Sequence, residues 1–124
     1  MIDFENADFI KLRPVDQDKF EKHVAPMLVE GEEMVASFQG IRDGIVFTTK
    51  RIITINVQGM TGKRKDFTSL PYKKIQAFSV ETAGVLDLDG ELQVWFSGLG
   101  RCRFEFSGGS DLLEISRIIG TYLL

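Results

Sequence analysis

The chain has 124 residues, 44% of them hydrophobic, a net charge of -3 and one cysteine, enough for a single core built without disulfides or metal. No apolar run approaches the roughly 20 residues that span a bilayer, and residues 1–13 are mixed and acidic rather than basic and then apolar, so we expect no signal peptide and a cytoplasmic setting. Cys102 cannot form an internal bridge, and its apolar and aromatic neighbours point to a buried thiol in a reducing compartment.

In chain order, the first pattern is helical. Phe20, Val24, Met27 and Leu28 recur at helical spacing after Asp16, which can serve as N-cap. Pro26 removes a backbone donor inside that pattern, so the helix is expected to stop near Ala25, and the chain turns by Glu30 and Gly31. His23 falls on this helix and is the chain's single histidine, which excludes a histidine-based metal cluster by count.

Seven short strands follow from about Glu33. Met34, Ala36 and Phe38 alternate with polar neighbours, a tight connection over Gly40–Gly44 leads into Ile45, Val46 and Phe47, and Thr49 and Lys50 turn the chain again. In the third strand Ile53, Ile55 and Val57 share one face, read as the inward one, until Gly59 and Gly62 break the run. Phe67 and Leu70 mark a fourth strand ended by Pro71. Ile75 to Val80 is a fifth, whose alternation slips between Ala77 and Phe78 and predicts a bulge. Leu92, Val94 and Phe96 point inward on the sixth. Gly98 and Gly100 turn into the seventh, where Cys102, Phe104 and Phe106 alternate with Arg101, Arg103 and Glu105.

The last element is an amphipathic helix. Gly108 and Gly109 break the preceding strand, Ser110 can cap, and Asp111 and Glu114 complement the positive end of the helix dipole. Leu112, Ile115, Ile118, Ile119, Tyr122 and Leu123 make a broad apolar stripe that must cover something. A membrane-surface helix would carry basic residues on its polar face; this one offers Arg117 against two acids, so packing onto the sheet is expected. The fold class is therefore mainly β with a C-terminal helix. Residues 1–30 read as an N-terminal helical extension, and residues 31–124 as a barrel domain with its capping helix.

Several ordered segments carry a family resemblance: Ile45 to Ile55, Val57-Gln58-Gly59-Met60-Thr61-Gly62-Lys63, Leu70-Pro71-Tyr72, and Phe78-Ser79-Val80-Glu81-Thr82-Ala83-Gly84 followed by Asp87-Leu88-Asp89. Together they resemble the bacterial pleckstrin-homology-like family over about residues 30–124. The resemblance implies a seven-stranded barrel capped by the terminal helix, self-association into ring-like homo-oligomers, and an undefined biochemical role.

Charge is segregated along the chain. Residues 1–43 carry ten acids and five bases, residues 44–76 seven bases and Asp66 alone, and residues 77–124 seven acids and three bases. Within the basic middle, Lys63, Arg64, Lys65, Lys73 and Lys74 form a candidate anion or partner patch, to be weighed against the common use of Lys and Arg to protect strand edges. A head-group cradle of the eukaryotic kind is disfavoured, because the loop Gly40-Ile41-Arg42-Asp43-Gly44 sets its one arginine beside an aspartate. Trp95 is out of phase with Leu92, Val94 and Phe96, and Val35 and Ile52 lie opposite to inward neighbours. These three make a candidate oligomer interface.

Other constellations fail on spacing. Gly59-Met60-Thr61-Gly62-Lys63-Arg64 has two residues between its glycines and lacks the Ser or Thr of a phosphate loop. Asp87, Asp89 and Glu91 do not follow calcium-loop spacing and read as an acidic turn. No serine or threonine stands in a nucleophile arrangement with His23, and the acidic flanks oppose a nucleic-acid backbone. The sequence thus points to a non-catalytic module without cofactor or metal that self-associates into a homo-oligomeric ring and offers a surface to a protein or peptide; the alternative is a peripheral binder of anionic lipid.

Overall fold

The computed structural model describes residues 1–5, 7–58, 60, 62–82, 90–107 and 110–124. Among these, eight strands run in chain order: β1 Asp8–Val15, β2 Met34–Gln39, β3 Asp43–Thr48, β4 Arg51–Gln58, β5 Arg64–Pro71, β6 Ile75–Thr82, β7 Gly90–Phe96 and β8 Gly100–Phe106. Helix α1 (Asp18–Val24) lies between β1 and β2, helix α2 (Leu112–Leu123) follows β8, and short 3₁₀ turns occupy Ala25–Met27 and Tyr72–Lys74. The strands form one sheet in the order β5-β4-β3-β2-β1-β8-β7-β6, curled into a half-barrel. Neighbours are antiparallel except β1 and β8, which are parallel.

The seven strands expected after Glu33 are β2 to β8. An eighth, β1, precedes them. The N-terminal extension expected to be helical over residues 1–30 is partly strand: residues 8–15 sit inside the sheet, pairing with β2 through Arg13, Pro14 and Val15 and with β8 through Asp8, Phe9 and Leu12. Its pattern is hidden by a register shift between Phe9 and Leu12, where Lys11 takes a left-handed φ of 55°. The shift lets both Phe9 and Leu12 reach the core.

The concave side holds the main core. Phe47, Ile52, Leu92, Val94, Cys102, Phe104 and Phe106 belong to it, and α2 adds Leu112, Ile115, Ile118 and Ile119. Burying each large aliphatic or aromatic side chain contributes roughly 1.5–3 kcal/mol, so the α2 stripe is held by tertiary packing far more than by helix propensity. Asp111, rather than Ser110, caps this helix: its Oδ1 accepts from the Glu114 N–H at 3.1 Å. Ser110 is buried instead, its hydroxyl donating to the Ser107 carbonyl at 2.8 Å. Tyr122 stacks on Tyr72 with ring centroids 6.1 Å apart.

A second, smaller core lies on the convex side. Val24 of α1 packs with Val46, Ile53 and Ile55, and Phe20, Leu28, Met34 and Phe67 close around them. This reverses the facing expected for β4: Ile52 is fully buried in the barrel, and Ile53 and Ile55 point outward beneath α1. A strand covered on both sides loses its polar alternation, so its inward face cannot be read from period alone. The helix itself ends where Pro26 required, but Gln17 rather than Asp16 is its N-cap and no side chain caps it. A register shift does occur in β6, but between Ile75 and Ala77, just before the Ala77–Phe78 step at which the alternation slips. Gly59, the acidic turn residues Asp87 and Asp89, and the pair Gly108 and Gly109 lie outside the described residues.

Candidate functional site

The basic residues do not form one patch. Lys63, Arg64 and Lys65 are exposed where β5 begins, and Lys73 and Lys74 are exposed in the turn after it ends. At about 3.3 Å per residue the strand between them spans roughly 23 Å, beyond the reach of a shared small anion. Arg51, from the same basic stretch, is withdrawn into an ion pair: its Nε donates to Glu32 Oε2 at 2.9 Å, and the Glu32 side chain is fully buried.

The three candidate interface residues do not meet either. Ile52 is buried in the main core and Val35 is half-buried against it. Only Trp95 faces outward as expected, half-buried on the convex side, paired with Ala77 on β6 and Arg101 on β8. Further along this face Arg103 donates from Nε to Glu91 Oε2 at 2.8 Å and from Nη2 to Glu105 Oε2 at 3.3 Å, and Arg101 lies 3.8 Å from Asp8. The Glu91 and Glu105 contacts outweigh burial and hold the Arg103 guanidinium above its ordinary pKa.

The two sheet edges differ in chemistry. β5 carries Arg64, Lys65 and a terminal Pro71, and the start of the chain lies on it: the Met1 ammonium pairs with Asp66, and the Ile2 N–H donates to Thr68 Oγ1 at 3.3 Å. These are the devices that keep an edge from pairing. β6, over Ile75–Thr82, contains no Lys, Arg or Pro, and Glu81 is its one charge. Ala77 and Ser79 are exposed along it.

A cleft of about 360 Å³ opens where α1 meets the β2–β3 turn and the ends of β4 and β5. Phe20, Ile41, Ile55 and Val57 line it with apolar surface; Lys19, His23, Arg42 and Lys65 bring basic groups, and Asp43 one carboxyl. Burial pushes the Asp43 carboxyl above its ordinary pKa. Phe20 can lie here because Gly44 has no side chain, since a Cβ there would come within 2.5 Å of the Phe20 ring. Sequence reading passed over this site; the available signal was the i, i+4 spacing of Lys19 and His23 beside Phe20.

Two reactive side chains are accounted for. Cys102 is fully buried, and burial pushes its thiol up to about 12, so it stays protonated at neutral pH. His23 is exposed, its ring 6.2 Å from that of Phe67. Among the described residues no three His, Cys, Asp or Glu side chains are grouped to hold a metal ion, and no helix is long and apolar enough to cross a membrane.

Comparison with known proteins places these features in context. The family model described as bacterial PH domain matches residues 3–123. The uncharacterized protein YjqA of Bacillus subtilis (strain 168) is 45% identical over 101 residues, 80% of this chain and 81% of that protein. The uncharacterized protein YozO of the same strain is 33% identical over 102 residues, 82% and 88% of the two chains. Among solved structures, a DUF1696 family protein with a pleckstrin-homology domain from Shewanella loihica PV-4 is similar at a TM-score of 0.79 and 37% identity, covering 93% of this chain and 99% of that one. A pleckstrin homology domain from Shewanella amazonensis SB2B is similar at a TM-score of 0.66 and 41% identity, with 89% and 90% covered.

Proposed function

The chain belongs to the bacterial PH domain family, and from that premise we propose that it is a non-catalytic assembly module that self-associates head to tail and presents a surface to a protein or peptide partner. The observation that carries this reading is the unequal protection of the sheet's two edges. Among the described residues β6 is a nearly uncharged edge strand, paired on one side with β7, which carries Trp95, whereas β5 is guarded. Glu81 lies on one edge strand, and Arg64 and Lys65 lie on the other. Two β5 edges repel through their like charges, whereas Glu81 of one copy can face Arg64 and Lys65 of the next through side-chain charge, without backbone pairing to the guarded β5 strand. A contact between different surfaces of identical subunits closes into a ring when its rotation allows.

Sedimentation velocity at micromolar concentration tests this. Species larger than the 14.0 kDa monomer are expected at low and moderate salt, shifted toward monomer by Glu81→Lys. Monomer alone across that range overturns the reading.

A second reading, a peripheral contact with anionic lipid, rests on two exposed apolar tips at one end of the sheet. Ile41, 71% exposed, and Met60, fully exposed, project from the β2–β3 and β4–β5 turns beside Lys63, Arg64 and Lys65. Co-sedimentation with liposomes separates the readings. Lipid binding should rise with anionic lipid and be lost on changing Lys63, Arg64 and Lys65 to Gln, with Lys73→Gln and Lys74→Gln having little effect because those residues sit at the other end of β5.

A further inference from the structure

We propose that the cleft between α1 and the β2–β3 turn binds a small amphipathic carboxylate, a molecule with one carboxylate on a compact apolar body. This goes beyond the assembly reading and does not depend on it, because the cleft lies on the convex face of β4 and β5, away from β6 and Trp95 in the sheet. Its size, about 360 Å³, falls within the range of small-molecule sites, roughly 300–1,000 Å³.

The lining specifies the ligand's chemistry. Phe20, Ile55 and Val57 supply apolar surface from a helix and a strand that pack on each other, so the floor is formed before any ligand arrives. Lys19 on α1 and Lys65 on β5 line the same cleft from separate elements, and neither makes an ion pair among the described residues. Two unneutralised ammonium groups over apolar surface favour an anion with a hydrophobic body. Asp43 adds a carboxyl to a lining that also holds Arg42 and His23, and by lowering the positive charge of the cleft it disfavours a phosphate dianion more than a single carboxylate that the lysines offset. The half-buried Phe20 and the buried Ile55 in the lining suit a discrete molecule rather than a lipid surface, which would engage the fully exposed Met60 tip outside the cleft instead.

Titration of the full chain with naphthoate, followed by amide NMR shifts, tests the proposal, with neutral naphthamide as the charge control. Saturable shifts confined to Phe20, Asp43, Ile55, Val57 and their neighbours are expected, with naphthamide about tenfold or more weaker. Lys19→Gln and Lys65→Gln, both at exposed positions, should each weaken naphthoate about two- to fivefold and leave naphthamide unchanged. The isosteric Asp43→Asn should strengthen naphthoate. Equal affinity for naphthoate and naphthamide overturns the proposal. So does lack of saturation up to about 10 mM, a shift pattern centred on Trp95, or a requirement for anionic vesicles.

Discussion

Arg51 and Glu32 form a two-point ion pair, Nε to Oε2 at 2.9 Å and Nη2 to Oε1 at 3.0 Å, in which the carboxylate is fully buried. The same guanidinium donates to the Met27 carbonyl at 2.7 Å and to Ser69 Oγ at 2.9 Å. Glu32 also accepts from the Thr48 hydroxyl at 2.6 Å and from the Val29 N–H at 3.0 Å. One charge pair therefore ties the segment after α1 to β3, β4 and β5. Arg51 belongs to the scaffold although it lies in the basic stretch of the sequence.

Removing one partner leaves the other charge buried and alone. Arg51→Met is expected to destabilise the fold by about 3–5 kcal/mol. Glu32→Gln, which keeps part of the hydrogen bonding, should cost less, about 1–3 kcal/mol. Urea unfolding of the two variants and wild type checks the order; equal stability of Arg51→Met and wild type would contradict it.

The same pair predicts acid sensitivity. Burial alone would raise the Glu32 carboxyl, but the hydrogen bonds from Arg51, Thr48 and Val29 outweigh it and hold it below its ordinary 4.5. A depressed carboxylate contributes stability that is present above the unfolded value and is lost as pH falls through the folded one. The stability gap between wild type and Arg51→Met should therefore be widest near neutral pH and narrow below about pH 4.5. Urea midpoints measured from pH 7 to pH 3 test the sign.

Gly44 seats α1. A Cβ at this position would lie 2.5 Å from Phe20 Cζ and 3.1 Å from the Phe38 carbonyl oxygen. Gly44→Ala should displace the Phe20 ring and destabilise the fold by about 1–3 kcal/mol. Because the main conflict is with one side chain, combining it with Phe20→Ala should cost less than the sum of the single changes. Thermal unfolding of the cycle reads the coupling, and strict additivity would place the conflict elsewhere.

Lys11 holds a left-handed φ of 55° at the bulge in β1, and its side chain is exposed. A non-glycine residue there carries roughly 1–3 kcal/mol of strain, part of which glycine returns through its greater unfolded-state entropy. Lys11→Gly is expected to raise stability by about 0.5–1 kcal/mol. A lower unfolding temperature for this variant would mean that the side chain holds β1 in another way.

Legibility in the sequence followed the environment of each element. β7 and β8 have one buried and one wet face, so Leu92, Val94, Phe96, Cys102, Phe104 and Phe106 announced themselves by alternation and lie in the core. α2 has one apolar stripe and was equally plain, though its cap passed from Ser110 to Asp111. β4 is covered on both sides, by the barrel interior and by α1, so its alternation carries no facing, and Ile52, expected on the outer surface, lies in the main core. Among the candidate site residues, Trp95 was placed outward by the same period that succeeded on β7.

Local order along the chain determined the fold class: short strands with turn chemistry between them, a proline-stopped helix near the start, and a striped helix at the end. Tertiary structure alone decided that residues 8–15 form a strand, because β1 is stabilised by partners distant in sequence, β2 on one side and β8 on the other. It also decided that Lys63 and Lys73 stand at opposite ends of β5, and that Lys19 and Lys65 share one cleft. Period and propensity act within a few residues, whereas a site is assembled by whichever segments the packing of the whole chain brings together.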